Sequence, residues 1–208
     1  MELKDVTTNV IVLECPKTYR EALQRLDKSI AEDSDEWIFS ENEKILKNNI
    51  SIDIVHSLFE LDFESRKIQK AILEDLYNIA VNEEHYETTQ KLLSEIEAYY
   101  YELEWHTGYN IKVELDTFHS ILKAGVSGLM TSEDLIIKLN EYIKISARLL
   151  KVRLIIFSGI LENFTQEEWK LIETTASYEG IYILCIERNI FLENSNMIVI
   201  DSDNCRVI

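Results

Sequence analysis

The chain has 208 residues, 46% of them hydrophobic, and its 38 acidic against 21 basic side chains give a net charge of −17. That length fits one compact domain or one domain with a large insertion, and the charge, taken alone, argues against a polyanionic nucleic-acid partner, whose binding rests on Lys and Arg at phosphates. Five glycines and one proline leave no flexible linker or low-complexity tract, the opening MELKDVTTNV lacks the apolar run of a signal peptide, and no segment approaches the ~18 consecutive apolar residues of a membrane helix.

In chain order, residues 9–14 read as a buried strand, because Val10-Ile11-Val12-Leu13 is continuous and largely β-branched. Residues 17–31 read as a helix with Tyr19, Ala22, Leu23, Leu26 and Ile30 on one face. Between them stands the turn Glu14-Cys15-Pro16, followed by Lys17-Thr18. Strand, turn, Lys-Ser/Thr, helix is the layout of a phosphate-binding loop. Such a loop needs glycines, so that successive backbone N–H groups can turn toward the phosphates. Here the first glycine is Gly108, and Glu14 would repel a γ-phosphate. Lys17 therefore reads as a solvated residue of the helix's first turn, and no bound nucleotide is expected. Trp37-Ile38-Phe39 and residues 50–55 read as two further short strands.

From Glu64 to His106 there is neither Pro nor Gly. Ile68, Ile72, Leu76 and Ile79 form one apolar stripe, and Leu92, Ile96, Tyr99 and Leu103 another. The polar stretch from Val81 to Thr88 either separates two helices or is their exposed middle, and a helical arm is expected. A third long helix, about residues 132–150, follows, with Thr131 and Asp134 spaced as a capping box. Residues 152–157 read as a buried strand, Thr165 and Glu168 as a capping box, Gly180 as a helix C-cap, and residues 181–186 and 197–201 as two more strands. Strand–helix–strand units with continuously apolar strands imply an α/β fold with a mostly parallel sheet. The expected division is a head of residues 1–63 and 148–208 and an inserted helical leg of residues 64–147.

Candidate sites are sparse. Cys15, Cys185 and Cys205 are odd in number with no CxxC spacing, which suits reduced thiols in a cytoplasmic protein. His56, His85, His106 and His119 never fall at HExxH spacing and read as surface or satisfied interior imidazoles. Asp201 and Asp203 suit either a Mg²⁺ site or a polar turn. Glu114 and Asp116 supply only part of the about six to eight oxygens that calcium takes. Basic density peaks at Arg66, Lys67 and Lys70, and a second basic stretch spans Arg148, Lys151 and Arg153. The run Tyr99-Tyr100-Tyr101 reads as helix packing.

The order of segments resembles a known family, that of the type II-A CRISPR spacer-acquisition accessory protein, the Csn-two family. The carrying residues are Leu154 to Phe157, Phe164-Thr165, Glu167-Glu168, Ile186-Glu187 and Ile200-Asp201-Ser202-Asp203 at the end of the chain. At the front they are NVIVLECPKTYREAL, WIFSENEKIL and ISIDIVHSLFELDFESRKIQKAI, and HSILKAG precedes the third long helix. The resemblance implies a fold like a degenerate P-loop NTPase core with a long helical leg insertion and no enzymatic activity. It also implies a homotetrameric ring that holds linear double-stranded DNA ends without sequence preference and works with the integrase proteins and effector nuclease of the same system. A basic lining would reconcile DNA with an acidic outer face. Arg66, Lys67 and Lys70, then Lys123 and Arg153, are the candidate DNA contacts. The family binds calcium between leg and head; the equivalent region here keeps Glu114 and Asp116 as its acids, so calcium is a possible cofactor with these two as ligands. Two readings from other classes stay open, a nucleotide-binding P-loop-like ATPase and a protein-only assembly scaffold.

Overall fold

The computed structural model describes residues 2–3, 8–32, 34, 36–41, 44–46, 51–109, 118–125, 132–191 and 196–207. Contacts divide the chain into two compact units, Met1–Asp62 with Thr131–Ile208, and Phe63–Met130.

The first unit is built on a five-stranded sheet of β1 (Asn9–Leu13), β4 (Ile52–Val55), β5 (Leu154–Ser158), β6 (Tyr182–Glu187) and β7 (Met197–Ile200), in the order β4-β5-β6-β1-β7. All four ladders are parallel, with Val10 beside Cys185 and Met197, and Ile156 beside Ile54 and Leu184. β1 connects across the sheet to the edge strand β4, whereas β4, β5, β6 and β7 step back in the opposite direction. Right-handed crossovers therefore place the connecting helices on opposite faces. α1 (Pro16–Glu32) covers one face: its Tyr19, Ala22, Leu23, Leu26 and Ile30 pack on Leu13, Leu154, Ile156, Leu184 and Ile186. These are the five positions that helical periodicity placed on one side.

The other face carries α5 (Leu135–Arg148) and α6 (Gln166–Glu179), which pack against each other. Trp169 of α6 is buried, meets Phe157 of β5 edge-on at 6.0 Å, and donates its indole N–H to Thr8 Oγ1 at 2.6 Å. Tyr142 of α5 donates its hydroxyl to Asp53 of β4, and burial, then the Asp53 carboxylate, push its phenol well above the ordinary range. Arg148 and Glu179 join the two helices through a forked ion pair with bonds of 2.8 and 2.5 Å.

Local signals account for the helix ends. Thr165 and Glu168 form the expected reciprocal capping box, and Gly180 closes α6 in the left-handed conformation with φ 68°. α5 differs from expectation. Its N-cap is Asp134, whose Oδ1 accepts from the Ile136 and Ile137 amides at 2.9 and 3.0 Å, while Thr131 lies outside the described residues. The expected strand at Trp37–Phe39 is also absent. Ser29 Oγ exchanges hydrogen bonds with the Trp37 backbone, and the rings of Trp37 and Phe39 stack at 6.1 Å and turn to the core. Only afterwards do β2 (Ser40–Glu41) and β3 (Lys44–Ile45) form a small antiparallel ribbon.

The second unit contains α2 (Arg66–Ala80), α3 (Tyr86–Thr107) and α4 (Phe118–Gly125). The stretch Val81–His85 does separate two helices, and Thr89 at the start of α3 donates to the Ala80 carbonyl at 2.7 Å. α2 and α4 pack together, with Tyr77 and His119 edge-to-face at 5.8 Å. The unit boundary near residue 131 lies earlier in the chain than the expected 148. α5, read from sequence as part of the leg, belongs to the first unit because Leu139 and Ile143 are buried in it and Tyr142 is bonded to β4.

Candidate functional site

Ligands of open parallel sheets bind beyond the carboxyl ends of the strands. Here those ends carry Glu14 after β1, His56 after β4, Ser158 and Glu187 closing β5 and β6, and Asp201 after β7. Each makes at least one hydrogen bond within the protein. The Glu14 amide donates to the Ile200 carbonyl at 3.0 Å, which fixes the turn after β1. Lys17 Nζ lies 3.9 Å from Glu21 Oε1 on the exposed surface of α1, and Thr18 Oγ1 donates to Asn204 Oδ1 at 2.6 Å. The two side chains that suggested a phosphate loop therefore have other partners. The Thr18 and Lys17 amides hold the Cys15 thiol below its ordinary value, as expected at a helix N-terminus. Asp201 Oδ1 accepts from the Asp203 and Cys205 amides at 3.0 and 2.8 Å, which is the polar-turn reading of these acids.

His56, Ser158 and Asp27 form a chain that sequence reading did not find. His56 Nδ1 lies 2.6 Å from Ser158 Oγ, and Nε2 lies 2.8 Å from Asp27 Oδ1. With Nε2 protonated toward the carboxylate, Nδ1 accepts the serine O–H, so both ring nitrogens are satisfied. These are the residue types of a nucleophilic triad, but the surroundings oppose that chemistry. Ser158 is only 6% exposed, and the amides after it are already used. The Gly159 amide donates to the Ile186 carbonyl, and the Ile160 and Leu161 amides donate to Glu187 Oε1 at 3.0 and 3.2 Å. An oxyanion would meet a carboxylate there, not free donors. The chain instead ties α1, β4 and β5 together at the sheet edge. Its members are 29 and 102 residues apart in sequence, and their only local signal is a polar residue ending an apolar run.

Glu187 is fully buried, and burial pushes its carboxyl up to about 7 against the two amide bonds that favour the charged form. Its other oxygen, Oε2, is buried without a hydrogen-bond partner among the described residues.

The basic candidates divide between the two units. Arg66, Lys67 and Lys70 lie exposed at the start of α2, whose N-cap Ser65 accepts from the Ile68 amide and whose first turn holds no acid. None of the three has an ion-pair partner among the described residues. Lys123 is exposed in the last turn of α4 in the same unit. Arg153 is in the other unit at the amino end of β5, where its amide donates to the Ser51 carbonyl at 2.7 Å. Glu114 and Asp116, the calcium ligands implied by the resemblance, lie outside the described residues. Among the described residues no three His, Cys, Asp or Glu side chains are grouped to hold a metal ion, and no helix is long and apolar enough to cross a membrane.

Residues 29–204 match the protein family described as CRISPR-associated protein (Cas_Csn2). A search of the curated proteins finds no match.

Proposed function

Because the chain belongs to the Cas_Csn2 family of CRISPR-associated proteins, we propose that it is a non-enzymatic, ring-forming cytoplasmic protein that binds linear double-stranded DNA ends, without sequence preference, during spacer acquisition. The observation that carries the DNA reading is the trio Arg66, Lys67 and Lys70. These are exposed cations without ion-pair partners among the described residues, at the positive end of a 15-residue helix, in a chain of net charge −17. Phosphate contacts there need no base readout, so affinity is independent of sequence. Lys123 and Arg153 are secondary contacts.

The head is a P-loop-like skeleton whose nucleotide site has been lost. Three arrangements support this: the glycine-free Glu14-Cys15-Pro16 turn, the pairing of Lys17 with Glu21, and the occupation of the Ile160 and Leu161 amides by Glu187. Assembly as a homotetramer explains why α3, with Thr89 as its one buried residue, leaves Leu92, Tyr99 and Leu103 exposed. Calcium is the proposed structural ion, held in part by Glu114 and Asp116. The integrase proteins and effector nuclease of the same system are the proposed protein partners.

The experiment that tests the DNA reading is the triple change Arg66→Glu, Lys67→Glu and Lys70→Glu in a filter-binding titration against salt. The intact protein should lose log affinity linearly with log salt, with a slope near −0.9 per phosphate neutralised. The variant should weaken all duplex sequences alike and flatten that slope. An unchanged slope would remove α2 from the interface. Absence of any DNA binding by the intact protein would favour a protein-only scaffold.

A further inference from the structure

α3 carries a site that DNA binding does not use. Near its C-terminus, Tyr101, Glu104, Trp105, Gly108 and Tyr109 line a hollow of about 470 Å³. Its construction follows from helix geometry. Positions 101, 104, 105 and 108 fall on one side of the last two turns. Gly108 then takes the left-handed conformation (φ 67°), and its amide closes on the Glu104 carbonyl at 2.8 Å. Tyr109 follows that reversal and lines the same hollow as Tyr101 and Trp105. The rings lie open to solvent: Tyr101 is 56% exposed, Tyr109 70% and Trp105 87%. The expectation that the tyrosine run packs within the helices is therefore not met for Tyr99, Tyr100 and Tyr101, all of which are exposed.

Three aromatic side chains and a carboxylate lining one hollow favour a cation. The face of each ring is the negative end of its quadrupole, Trp most strongly, and Glu104 adds a full charge. The neighbourhood decides against a stacked nucleotide. From Glu95 to Tyr109 there are four carboxylates (Glu95, Glu97, Glu102 and Glu104) and no Lys or Arg. A phosphate backbone would be repelled there. We propose that this hollow docks an arginine side chain presented by a basic segment of a partner protein. The planar guanidinium stacks on Trp105 and Tyr101 while donating to Glu104. This inference goes beyond the DNA-end reading and does not depend on it.

The probe is a fluorescein-labelled peptide with three arginines spaced by Gly-Ser, compared with the same peptide carrying neutral citrulline. Measurement at about 150 mM salt, where the Debye length is about 8 Å, suppresses diffuse attraction to an acidic protein. The arginine peptide should bind saturably and the citrulline peptide at least about tenfold more weakly. Trp105→Ala and Tyr101→Ala should each weaken binding about tenfold, equivalent to about 1.4 kcal/mol. Trp105→Phe, which keeps a ring, should lose less. Glu102→Gln removes one charge outside the hollow and should leave binding unchanged. Equal weakening by Glu102→Gln and Trp105→Ala would reduce the effect to net charge and overturn the proposal. So would unchanged peptide binding in Trp105→Ala, whether that variant instead loses a single-stranded thymidine oligonucleotide or falls in assembled mass.

Discussion

Replacing Glu187 by glutamine should remove a pH-dependent loss of stability. The carboxyl is fully buried and sits at about 7 in the folded protein, against an ordinary value of 4.5. Between those values the folded state keeps the proton and the unfolded state has released it. Stability from this group is therefore complete below 4.5, declines as pH rises, and is gone above about 7. At about 1.4 kcal/mol per pH unit, the interval amounts to about 3 kcal/mol. The glutamine side chain would keep an oxygen for the Ile160 and Leu161 amides and would never ionise. Its amide nitrogen would face the space of the unpartnered Oε2 at every pH, so that cost cancels when two pH values are compared. The assay is thermal or urea unfolding of both proteins at about pH 5 and about pH 8. The gap between variant and wild type should move by about 3 kcal/mol in favour of the variant at the higher pH. For a chain of this size that corresponds to about 6–12 °C in Tm. Titration of the acidic surface is common to both proteins and drops out. Parallel pH profiles would refute the assignment of a protonated, buried Glu187.

Tyr142→Phe deletes the hydroxyl that Asp53 accepts and should cost about 1–3 kcal/mol in chemical denaturation; a neutral result would mean that α5 is not held to β4 by this bond. Thr165→Ala breaks the capping box of α6 and should cost about 1 kcal/mol, read by the urea midpoint. Calorimetry with ATP should show no tight binding, because Lys17 is paired with Glu21 and the turn before it has no glycine; micromolar affinity lost in Lys17→Ala would reinstate a nucleotide site. Light scattering should return four times the 24.4 kDa chain mass, and a monomer with and without calcium would rule out the ring.

The sheet and α1 were legible because their patterns are local. A run such as Leu154 to Ser158 is buried along its whole length, and α1 presents one stripe to it, so composition and period suffice. Caps were legible where both members lie within one turn, as at Thr165 and Glu168. What failed depended on distant partners. Trp37–Phe39 has strand composition, but its backbone is taken by Ser29. α5 looks like its neighbours in the leg, and only Asp53, 89 residues away, and the buried Leu139 and Ile143 assign it to the other unit. The Ser158–His56–Asp27 chain is invisible for the same reason. The basic trio could be seen in sequence, because three cations within five residues stand out in an acidic chain; the aromatic hollow could not, because the turn at Gly108 decides whether Tyr109 joins Tyr101 and Trp105.

The proposed role of this chain is to hold duplex DNA by its ends. The most direct measurement is a mobility-shift competition in which a labelled linear duplex is challenged with the same sequence as unlabelled linear fragment or as covalently closed circle. Linear competitor should displace the label in proportion to its number of ends, and the closed circle should not displace it. Equal displacement by closed circles would contradict end binding through a ring.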